Sequence, residues 1–367
     1  MEFNKVLEDV SIYEAGKPIE LVVREYGIDP KDVVKLASNE NPFGCSPKVI
    51  SKVESIVKNM YQYPDDSMFE LKEALAKKYK VESKNIIIGS GSDQILEFCV
   101  HAKCSSDSKV LMAKTTFAMY EIYARQTGAK ILKTQSAQHN LQELSDLYKK
   151  EGADVIFLCI PNNPLGECIG KDEVYEFLKI VDKNTLVVVD GAYMEFARYK
   201  DVTKAIDPQD LITKFPNTVF LGTFSKVYGL GGMRVGYGIG QENIINTFYK
   251  LRAPFNITTL SLAAAIEALK DEEFVQNCIA KNFEEMKRYE DYIVAKGLDY
   301  IPSYTNFITI MLKDYNSKEV SQKLLQRGMI VRDLTGYGVN AIRVTIGTNE
   351  QNTKLFKLLD EVLEELK

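Results

Sequence analysis

The amino-acid sequence predicts an α/β protein in which a parallel or mixed sheet forms the larger of two domains. Apolar runs at residues 155–160, 185–189 and 219–223 have the length and residue types of strands and are too short for helices. Segments with apolar residues at helical spacing separate them, and continuous apolar runs are typical of strands buried on both faces. A chain of 367 residues also exceeds a single core, which favours one large domain and a smaller one.

The elements are predicted in chain order. Residues 1–30 contain one weak helical stretch and are expected to form an N-terminal arm that packs with the small domain or a partner subunit, followed by a large domain at 31–260 and a small α+β domain at 261–367. A capping box from Ser67 to Glu70 predicts a helix that runs to residue 80. Strands are predicted at 85–88, 110–113, 155–160, 185–189, 306–312, 330–333 and 342–346. Helices are predicted at 94–101, 141–150, 171–181, 242–251, 260–270, 272–296 and 318–326, and at the C-terminus.

Composition and charge exclude several classes of function. The net charge of −5 and the pI of about 5.5 indicate no basic surface for nucleic acid. Every apolar run is too short to span a membrane, and the acidic start MEFNKVLEDV does not resemble a secretory signal. The six cysteines lack metal-ligand spacing and there are only two histidines, so we expect no metal site and a reducing, cytoplasmic location.

Lys226 follows the apolar run 219–223 and precedes a glycine-rich turn that leads to Arg234. Open α/β sheets bind ligands at the carboxyl ends of their strands, and Ser225 and Arg234 offer a hydroxyl and a guanidinium to a phosphate. A lysine amine beside a second cation in a partly dry pocket loses proton affinity, and the neutral amine can form a Schiff base. These residues indicate an aldimine between Lys226 and a phosphorylated aldehyde cofactor, with a surface lysine as the alternative.

A second candidate phosphate site follows the strand at 85–88, where Gly-Ser-Gly-Ser-Asp at 89–93 leads into a helix. Such a turn leaves backbone N–H groups free at the positive end of the helix. The spacing does not match a dinucleotide-binding fingerprint. A glycine turn that only connects the two elements is the alternative.

Other strand ends carry groups suited to a flat, charged ring. Phe117 follows the strand at 110–113 and could stack on such a ring or belong to the core. Asp190 ends an apolar strand, where a carboxylate requires a cationic partner such as a protonated pyridine nitrogen. Its alternative role is to cap the following helix. Arg343 interrupts an apolar strand and therefore needs an anion, with a structural salt bridge as the alternative.

The order of these groups resembles the fold-type-I, pyridoxal-phosphate-dependent aminotransferases. The resemblance is carried by Ser225-Lys226 with GMRVG at 232–236, by the Asn-Pro-x-Gly turn at 163–166, and by Asp190. It implies pyridoxal 5′-phosphate as the cofactor and a large domain with a mixed, mostly parallel sheet flanked by helices, plus a smaller α+β C-terminal domain. It implies catalytic roles for Lys226, Asp190 and Tyr193. The implied cofactor-binding residues are Tyr63, Ser92, Asp93, Phe117, Asn163, Asp190, Tyr193, Ser225, Lys226 and Arg234.

Each implied residue has a role by that resemblance. Asp190 keeps the pyridine protonated, and Asn163 and Tyr193 bind the phenolic oxygen, while Asn162 serves the turn. Phe117 stacks on the ring, at a position where tyrosine is more usual. The phosphate or its approach is bound by Ser92, Asp93, Ser225, Arg234 and Tyr63.

Within that family the sequence is most similar to the histidinol-phosphate aminotransferases, through SNENPFG at 38–44, YPDD at 63–66, TFAMY at 116–120, PNNPLGE at 161–167 and IRVTIGT at 342–348. This implies transfer of an amino group between glutamate and imidazole-acetol phosphate in histidine biosynthesis, with 2-oxoglutarate and histidinol phosphate as the corresponding products. It also implies a homodimer in which Tyr13 and Tyr63 reach the partner's site. The implied substrate-binding residues are Tyr13, Asn41, Arg332 and Arg343.

Three other functions remain open at this point. An aromatic-amino-acid aminotransferase and a threonine-phosphate decarboxylase would share the fold, and their products distinguish them. A regulator that only binds pyridoxal phosphate would normally carry an added DNA-binding region, whereas this acidic chain starts with the arm.

Overall fold

A computed structural model describes residues 1, 3–13, 16 and 18–367. The helices are α1 Ile19–Tyr26, α2 Pro47–Ile56, α3 Phe69–Tyr79, α4 Gly91–Lys103, α5 Ala118–Gln126, α6 Leu141–Glu151, α7 Lys171–Lys179, α8 Met194–Lys200, α9 Pro208–Lys214, α10 Glu242–Tyr249, α11 Thr259–Ala268, α12 Glu272–Ala295, α13 Ser317–Leu325 and α14 Asn349–Glu365. The strands are β1 Val34–Lys35, β2 Ile86–Gly89, β3 Lys109–Met112, β4 Lys130–Lys133, β5 Val155–Cys159, β6 Leu186–Asp190, β7 Thr218–Thr223, β8 Gly236–Gly240, β9 Asp299–Ile301, β10 Phe307–Met311, β11 Met329–Ile330, β12 Arg332–Asp333 and β13 Ala341–Thr345.

The central sheet has seven strands in the order β2-β8-β7-β6-β5-β3-β4. β8 runs antiparallel to both of its neighbours, and the other paired strands are parallel. Alternate side chains of each strand enter different cores: Ile156 and Leu158 of β5 pack on one face, and Val155, Phe157 and Cys159 pack on the other. Burial on both faces explains the unbroken apolar runs. The predicted α/β fold class with a mixed, mostly parallel sheet is confirmed.

The C-terminal region contains a second sheet, β12-β13-β10-β9, in which all pairs are antiparallel. Helices α12, α13 and α14 cover it through a core that includes Tyr289, Val320 and Leu359. β1 pairs with β11 in parallel, so the segment just after the predicted arm joins this region. The domain limits at residues 30 and 260 stay a prediction. Every helix in the described part of the chain is too short or too polar to cross a lipid bilayer.

Two local predictions are wrong. Ser67 does not cap α3, because the Asp65 carboxylate accepts hydrogen bonds from the Ser67 and Phe69 N–H groups and from the Ser67 hydroxyl. Met68 takes a left-handed backbone conformation with φ of 51° just before the helix, which is incompatible with a capping box that starts at Ser67. The predicted strand at 330–333 is divided between β11 and β12, which pair in different sheets.

Helix α4 begins at Gly91, earlier than the predicted residue 94. Ser92 and Asp93 therefore lie in its first turn rather than in the preceding loop. This position matters for the site, since the first N–H groups of a helix lack partners within the helix.

Candidate active site

The predicted cofactor residues converge where β5, β6 and β7 end. These parallel strands run side by side, so the turns that follow them lie at one edge of the sheet. A cavity of about 130 Å³ opens there, lined by Gly91, Ser92, Asp93, Phe117, Cys159, Asn163, Asp190, Ala192, Tyr193, Thr223, Ser225, Lys226 and Arg234. Of the predicted cofactor-binding residues, Tyr63 alone does not line it. Segments far apart in sequence thus form one site.

Lys226 lies just beyond β7, with its amine largely buried in this cavity. Nζ lies 3.4 Å from the Ser38 carbonyl oxygen and 5.7 Å from the centre of the Tyr193 ring. Burial, together with the nearby Arg343 and Arg234 guanidinium groups, lowers the pKa of Lys226 to about 8. The neutral amine that a nucleophile requires is therefore accessible near neutral pH.

Asp190 is 4% exposed at the end of β6. Its Oδ2 accepts a hydrogen bond of 2.7 Å from the Tyr120 hydroxyl, and its Oδ1 accepts one of 3.1 Å from the Ala192 N–H. It does not cap α8, which begins at Met194. Burial raises the pKa of the carboxyl, which means that the anion lacks sufficient stabilisation. A cation placed in the cavity would supply that stabilisation, and a protonated pyridine nitrogen has the required charge.

An anion cradle forms where α4 meets the turn before β8. Gly91 has φ of 75°, and a Cβ atom at this position would lie 2.5 Å from Arg234 Nη2. Arg234 Nη1 is also 3.4 Å from Ser225 Oγ. This glycine lets the guanidinium approach the first turn of α4, so backbone N–H groups, a hydroxyl and a fixed positive charge surround the same space. The arrangement fits a phosphate.

The Asp93 carboxylate belongs to the lining of this cradle but has its own partner. Its Oδ2 accepts a hydrogen bond of 2.8 Å from the Tyr123 hydroxyl, and its Oδ1 is buried without a partner among the described residues. Burial raises the pKa of Asp93. We therefore expect its backbone N–H, rather than its carboxylate, to contribute to anion binding.

Asn163 and Tyr193 line the same cavity through groups that already have protein partners. The Asn163 Oδ1 accepts a 2.5 Å hydrogen bond from Arg343, and the Tyr193 hydroxyl accepts one of 2.9 Å from Asn39. Asn162 serves the turn, as predicted: its amide is buried and donates to the Thr115 carbonyl oxygen at 2.9 Å. Tyr193 keeps its hydroxyl hydrogen for a further acceptor.

Arg343 extends the site toward the C-terminal sheet and is only 8% exposed. Its hydrogen bonds in the described part of the chain reach neutral acceptors, the Asn163 amide oxygen and the Ala37 carbonyl oxygen, and its Nε is buried without a described partner. Arg332 stands opposite Arg343 in the β12–β13 register. Burial, with Arg332 as a further cause, lowers the pKa of Arg343. Arg332 and Arg343 occupy directly opposed register positions, where like charges repel each other.

Tyr13 and Arg332 line a second cavity of about 600 Å³ next to the first one. Phe117 lines both cavities and so lies between them. The Phe117 ring is edge-on to the Tyr120 ring, with centroids 5.6 Å apart, and Tyr120 in turn stacks on Phe157. This wall of packed aromatics fixes Phe117 at the boundary.

Two further predicted site residues, Tyr63 and Asn41, line neither of these two cavities. Tyr63 is 82% exposed and contacts the Phe255 ring at 4.7 Å. The Asn41 amide donates to the Val227 carbonyl oxygen at 2.8 Å and accepts from the Phe43 N–H, so it joins the loop to the residue after Lys226. Their roles in cofactor and substrate binding stay predictions.

Sequence reasoning assigned no role to Asn39, Tyr120 or Tyr123, which orient Tyr193, Asp190 and Asp93 respectively. Asn39 is buried with φ of 55°, and its Oδ1 accepts a hydrogen bond from Thr345. The two tyrosines occur within or just after the TFAMY string. The type of side chain could have indicated these roles from the sequence. Asparagine tolerates the left-handed backbone conformation, and a buried tyrosine hydroxyl usually has a hydrogen-bond partner.

Comparison with known proteins agrees with this site. The family described as aminotransferase class I and II matches residues 31–359. Histidinol-phosphate aminotransferases from Aliarcobacter butzleri and Wolinella succinogenes are 75% and 62% identical to the chain, and each alignment covers 100% of both sequences. The crystal structure of histidinol-phosphate aminotransferase from Sinorhizobium meliloti in complex with pyridoxal-5′-phosphate has the same fold. It superposes with a TM-score of 0.90 at 24% identity and covers 100% of this chain and 98% of that one. The chain therefore belongs to the class I and II aminotransferases, among the histidinol-phosphate aminotransferases.

Proposed function

We propose that this protein reversibly transfers the amino group of glutamate to imidazole-acetol phosphate, which gives 2-oxoglutarate and histidinol phosphate, in histidine biosynthesis. The observation that carries the proposal is the single cavity that holds a buried lysine of lowered pKa, a buried carboxylate and an anion cradle. The identity of the substrates is inferred from the close relatives named above, which are histidinol-phosphate aminotransferases.

Pyridoxal phosphate is the cofactor, and the cavity offers a suitable group for each part of it. When bound, it supplies an aldehyde carbon that reacts with amines and a protonated ring that accepts electron density. The cradle of α4, Ser225 and Arg234 takes the phosphate. Asp190 would pair with the ring nitrogen, and Tyr193 and Asn163 would hydrogen-bond the phenolic oxygen.

The protein's own residues carry out the proton chemistry and the binding. Lys226 Nζ would attach the cofactor, and as a free amine it would take the proton from the substrate Cα and deliver it to the aldehyde-derived carbon of the cofactor. Asp190 stays ionised against the ring nitrogen, oriented by the Tyr120 hydroxyl and the Ala192 N–H. Phe117 closes one side of the cavity and restricts the ring.

Arg343 binds the substrate anion, the α-carboxylate of glutamate in one half-reaction and the phosphate of histidinol phosphate in the other. Arg332 stands opposite to it and assists, and Tyr13 lines the adjoining cavity. One anion site would thus serve both substrates, with Arg343 as its buried cation.

The test is the visible spectrum of the pyridoxal phosphate-loaded protein as histidinol phosphate, glutamate, histidinol and phenylalanine are added separately. We expect histidinol phosphate and glutamate to bleach the visible band, and histidinol to do so much more weakly. Bleaching by phenylalanine but not by histidinol phosphate would indicate an aromatic aminotransferase. Release of CO₂ from threonine phosphate would indicate the decarboxylase.

Replacing Arg343 with alanine should weaken binding of both substrates by about 2–3 kcal/mol, roughly 30- to 150-fold in KM. The guanidinium is the buried cation at the anion site, and it also donates to Asn163. The measurement is KM for glutamate and for histidinol phosphate, with Arg343→Lys as the variant that retains charge without the two-pronged geometry. If both half-reactions remain intact in Arg343→Ala, this role is withdrawn.

We also propose that the protein is a homodimer with shared sites. Large apolar side chains are exposed on segments 57–69 and 251–255, among them Met60, Tyr61, Tyr63, Phe69 and Phe255. Clustered exposed apolar side chains indicate a protein interface. Tyr63 lies outside the cofactor cavity of its own chain, which supports a role at the phosphate of the partner's cofactor.

Hybrid dimers test this arrangement. Tyr63→Phe should weaken pyridoxal phosphate binding roughly ten- to a hundredfold through loss of a hydrogen bond to a charged group. In a hybrid with a Lys226→Ala chain, one site combines an intact Lys226 with an intact Tyr63 from the other chain. We expect that site to bind and react like wild type. A hybrid that keeps the Tyr63→Phe defect would show that the tyrosine acts within its own chain.

A cytoplasmic location is proposed as well. The six cysteines are all unpaired, and four of them, Cys99, Cys159, Cys168 and Cys278, are buried. Unpaired cysteines are typical of proteins from a reducing compartment.

A further inference from the structure

A chain of hydrogen bonds links the phosphate-binding turn to the loop after α10. Gln94 Oε1 accepts from the Ser90 N–H at 2.9 Å and from Asn256 Nδ2 at 2.7 Å. Asn256 Nδ2 also lies 3.4 Å from the Ile88 carbonyl oxygen, and its Oδ1 accepts from Arg252 Nη1 at 2.9 Å. Asn256 thus joins this loop both to the end of β2 and to the first turn of α4.

The same loop is attached to the segment that carries Tyr63. Arg252 donates two parallel hydrogen bonds to Asp66, at 2.8 and 2.7 Å, and its side chain is only 10% exposed. Asp66 Oδ1 also accepts from the Phe255 N–H at 2.7 Å. These donors, Arg252 first, lower the pKa of Asp66 to about 2, so it stays ionised at any working pH. Three residues before Asp66, the Tyr63 ring packs on Phe255.

The backbone of this loop is strained at Phe255, where φ is 55°. A bulky residue in the left-handed region is unfavourable, so neighbouring contacts must maintain the conformation. The Asp66 carboxylate, which accepts from the N–H of this residue, is one such contact. The same hydrogen-bonded residues thus hold a strained backbone at the surface and contact the phosphate-binding turn, which indicates that they connect the two places.

The relay is defined here as Asp66, Gln94, Arg252 and Asn256. We propose that the relay positions the phosphate-binding turn at residues 90–93 and couples it to the surface segment that carries Tyr63. By occupying the Ser90 N–H, Gln94 fixes the orientation of the turn and leaves the following N–H groups for the anion. This inference rests on the proposed cofactor site and adds positioning residues that touch neither cofactor nor substrate.

Reciprocity follows from the coupling. If the surface segment contacts a partner subunit, the partner binds at one end of the relay and the cofactor phosphate binds at the other end. Cofactor binding should therefore strengthen subunit association, and association should strengthen cofactor binding by the same factor. Disruption of the relay should remove this mutual effect even though both binding surfaces keep their residues.

The experiment compares the affinity of the apoprotein for pyridoxal phosphate and for pyridoxal, which lacks the phosphate, by fluorescence quenching. Gln94→Met removes the shared acceptor at nearly constant size, and Arg252→Met breaks the distant end. Each variant should bind pyridoxal phosphate about five- to fiftyfold more weakly, as expected for one lost hydrogen bond to a buried group. Pyridoxal affinity should change less than about twofold, since only the phosphate end is affected. The control is Gln142→Met on α6, where an exposed glutamine donates a hydrogen bond to Asp146.

Two further measurements separate positioning from simple stability. The double variant should lose less affinity than the product of the single effects, because both changes act on one unit. Sedimentation with and without pyridoxal phosphate should show cofactor-enhanced association in wild type and not in Arg252→Met. If Arg252→Met fails to fold, Arg252→Lys replaces it and should show the same pattern more weakly.

The relay is overturned if Arg252→Met keeps wild-type affinity for pyridoxal phosphate, or if pyridoxal and pyridoxal phosphate lose affinity equally. A wild-type protein that fails to bind pyridoxal phosphate would instead refute the proposed function. The two failures are therefore distinguishable.

Discussion

Replacing Lys226 with alanine is expected to lower the rate of amino transfer by at least about a thousandfold. The same amine attaches the cofactor and moves the substrate proton, so its removal eliminates two functions at once. Pyridoxal phosphate should still bind without a covalent link, because the cradle around Arg234 is unchanged. The measurement is the single-turnover rate with glutamate and with histidinol phosphate.

Lys200 provides the matched control for this variant. Burial lowers its pKa as well, but it lies on α8 outside the cofactor cavity. Lys200→Ala should retain the wild-type rate per folded molecule. A Lys226→Ala protein that reacts within about tenfold of wild type would contradict the assignment, since a catalytic base contributes at least a hundredfold.

The same pair of proteins gives a pH-dependent stability difference. The pKa of Lys226 is about 8 in the folded apoprotein against an ordinary value of 10.5, so between these values the unfolded chain binds more protons. Wild-type stability relative to Lys226→Ala should therefore rise as the pH rises from 8 to 10.5, by roughly 3 kcal/mol in total. Below pH 8 the amine is charged in both the folded and the unfolded state, so burial of the charge lowers the free energy of unfolding by a constant amount. Urea unfolding of both apoproteins across this range tests the sign, and a constant difference would show that Lys226 is not desolvated.

The second large effect is expected at Asp190. Asp190→Asn should lower the transfer rate by about a hundredfold or more, because a neutral amide cannot balance a protonated ring nitrogen. Asparagine has nearly the same shape, so the Tyr120 and Ala192 contacts at this position need little rearrangement. The measurement is the rate of each half-reaction, together with the pH at which the bound cofactor changes colour.

A rescue experiment separates charge from packing at this position. Asp190→Ala should be inactive with pyridoxal phosphate, but an analogue methylated on the ring nitrogen carries its positive charge permanently and does not need the carboxylate. We expect the Asp190→Ala variant to react at least about tenfold faster with this analogue than with pyridoxal phosphate. Equal activity with both cofactors would indicate that Asp190 acts only as a structural residue.

Much of the site could be predicted from local sequence. Lys226, Asp190 and Asn163 each end or follow an apolar strand, and the carboxyl ends of neighbouring parallel strands lie at one edge of a sheet. The glycine turn before α4 identified Ser92 in the same way. Family membership, fold class and enzyme class were also predicted correctly, because each motif lies within a few residues of chain and requires no knowledge of long-range packing.

The tertiary structure decided which residues support those motifs. The Tyr120–Asp190, Asn39–Tyr193 and Arg343–Asn163 hydrogen bonds span 70, 154 and 180 residues of sequence. Such contacts depend on strand order and register, which no local pattern specifies. The same reason explains why the capping role of Ser67 was predicted wrongly, since Asp65 is a stronger acceptor in the folded turn. The sequence by itself thus determined the chemistry at each strand end, and only the packing of the sheets decided how those groups are oriented, paired and desolvated.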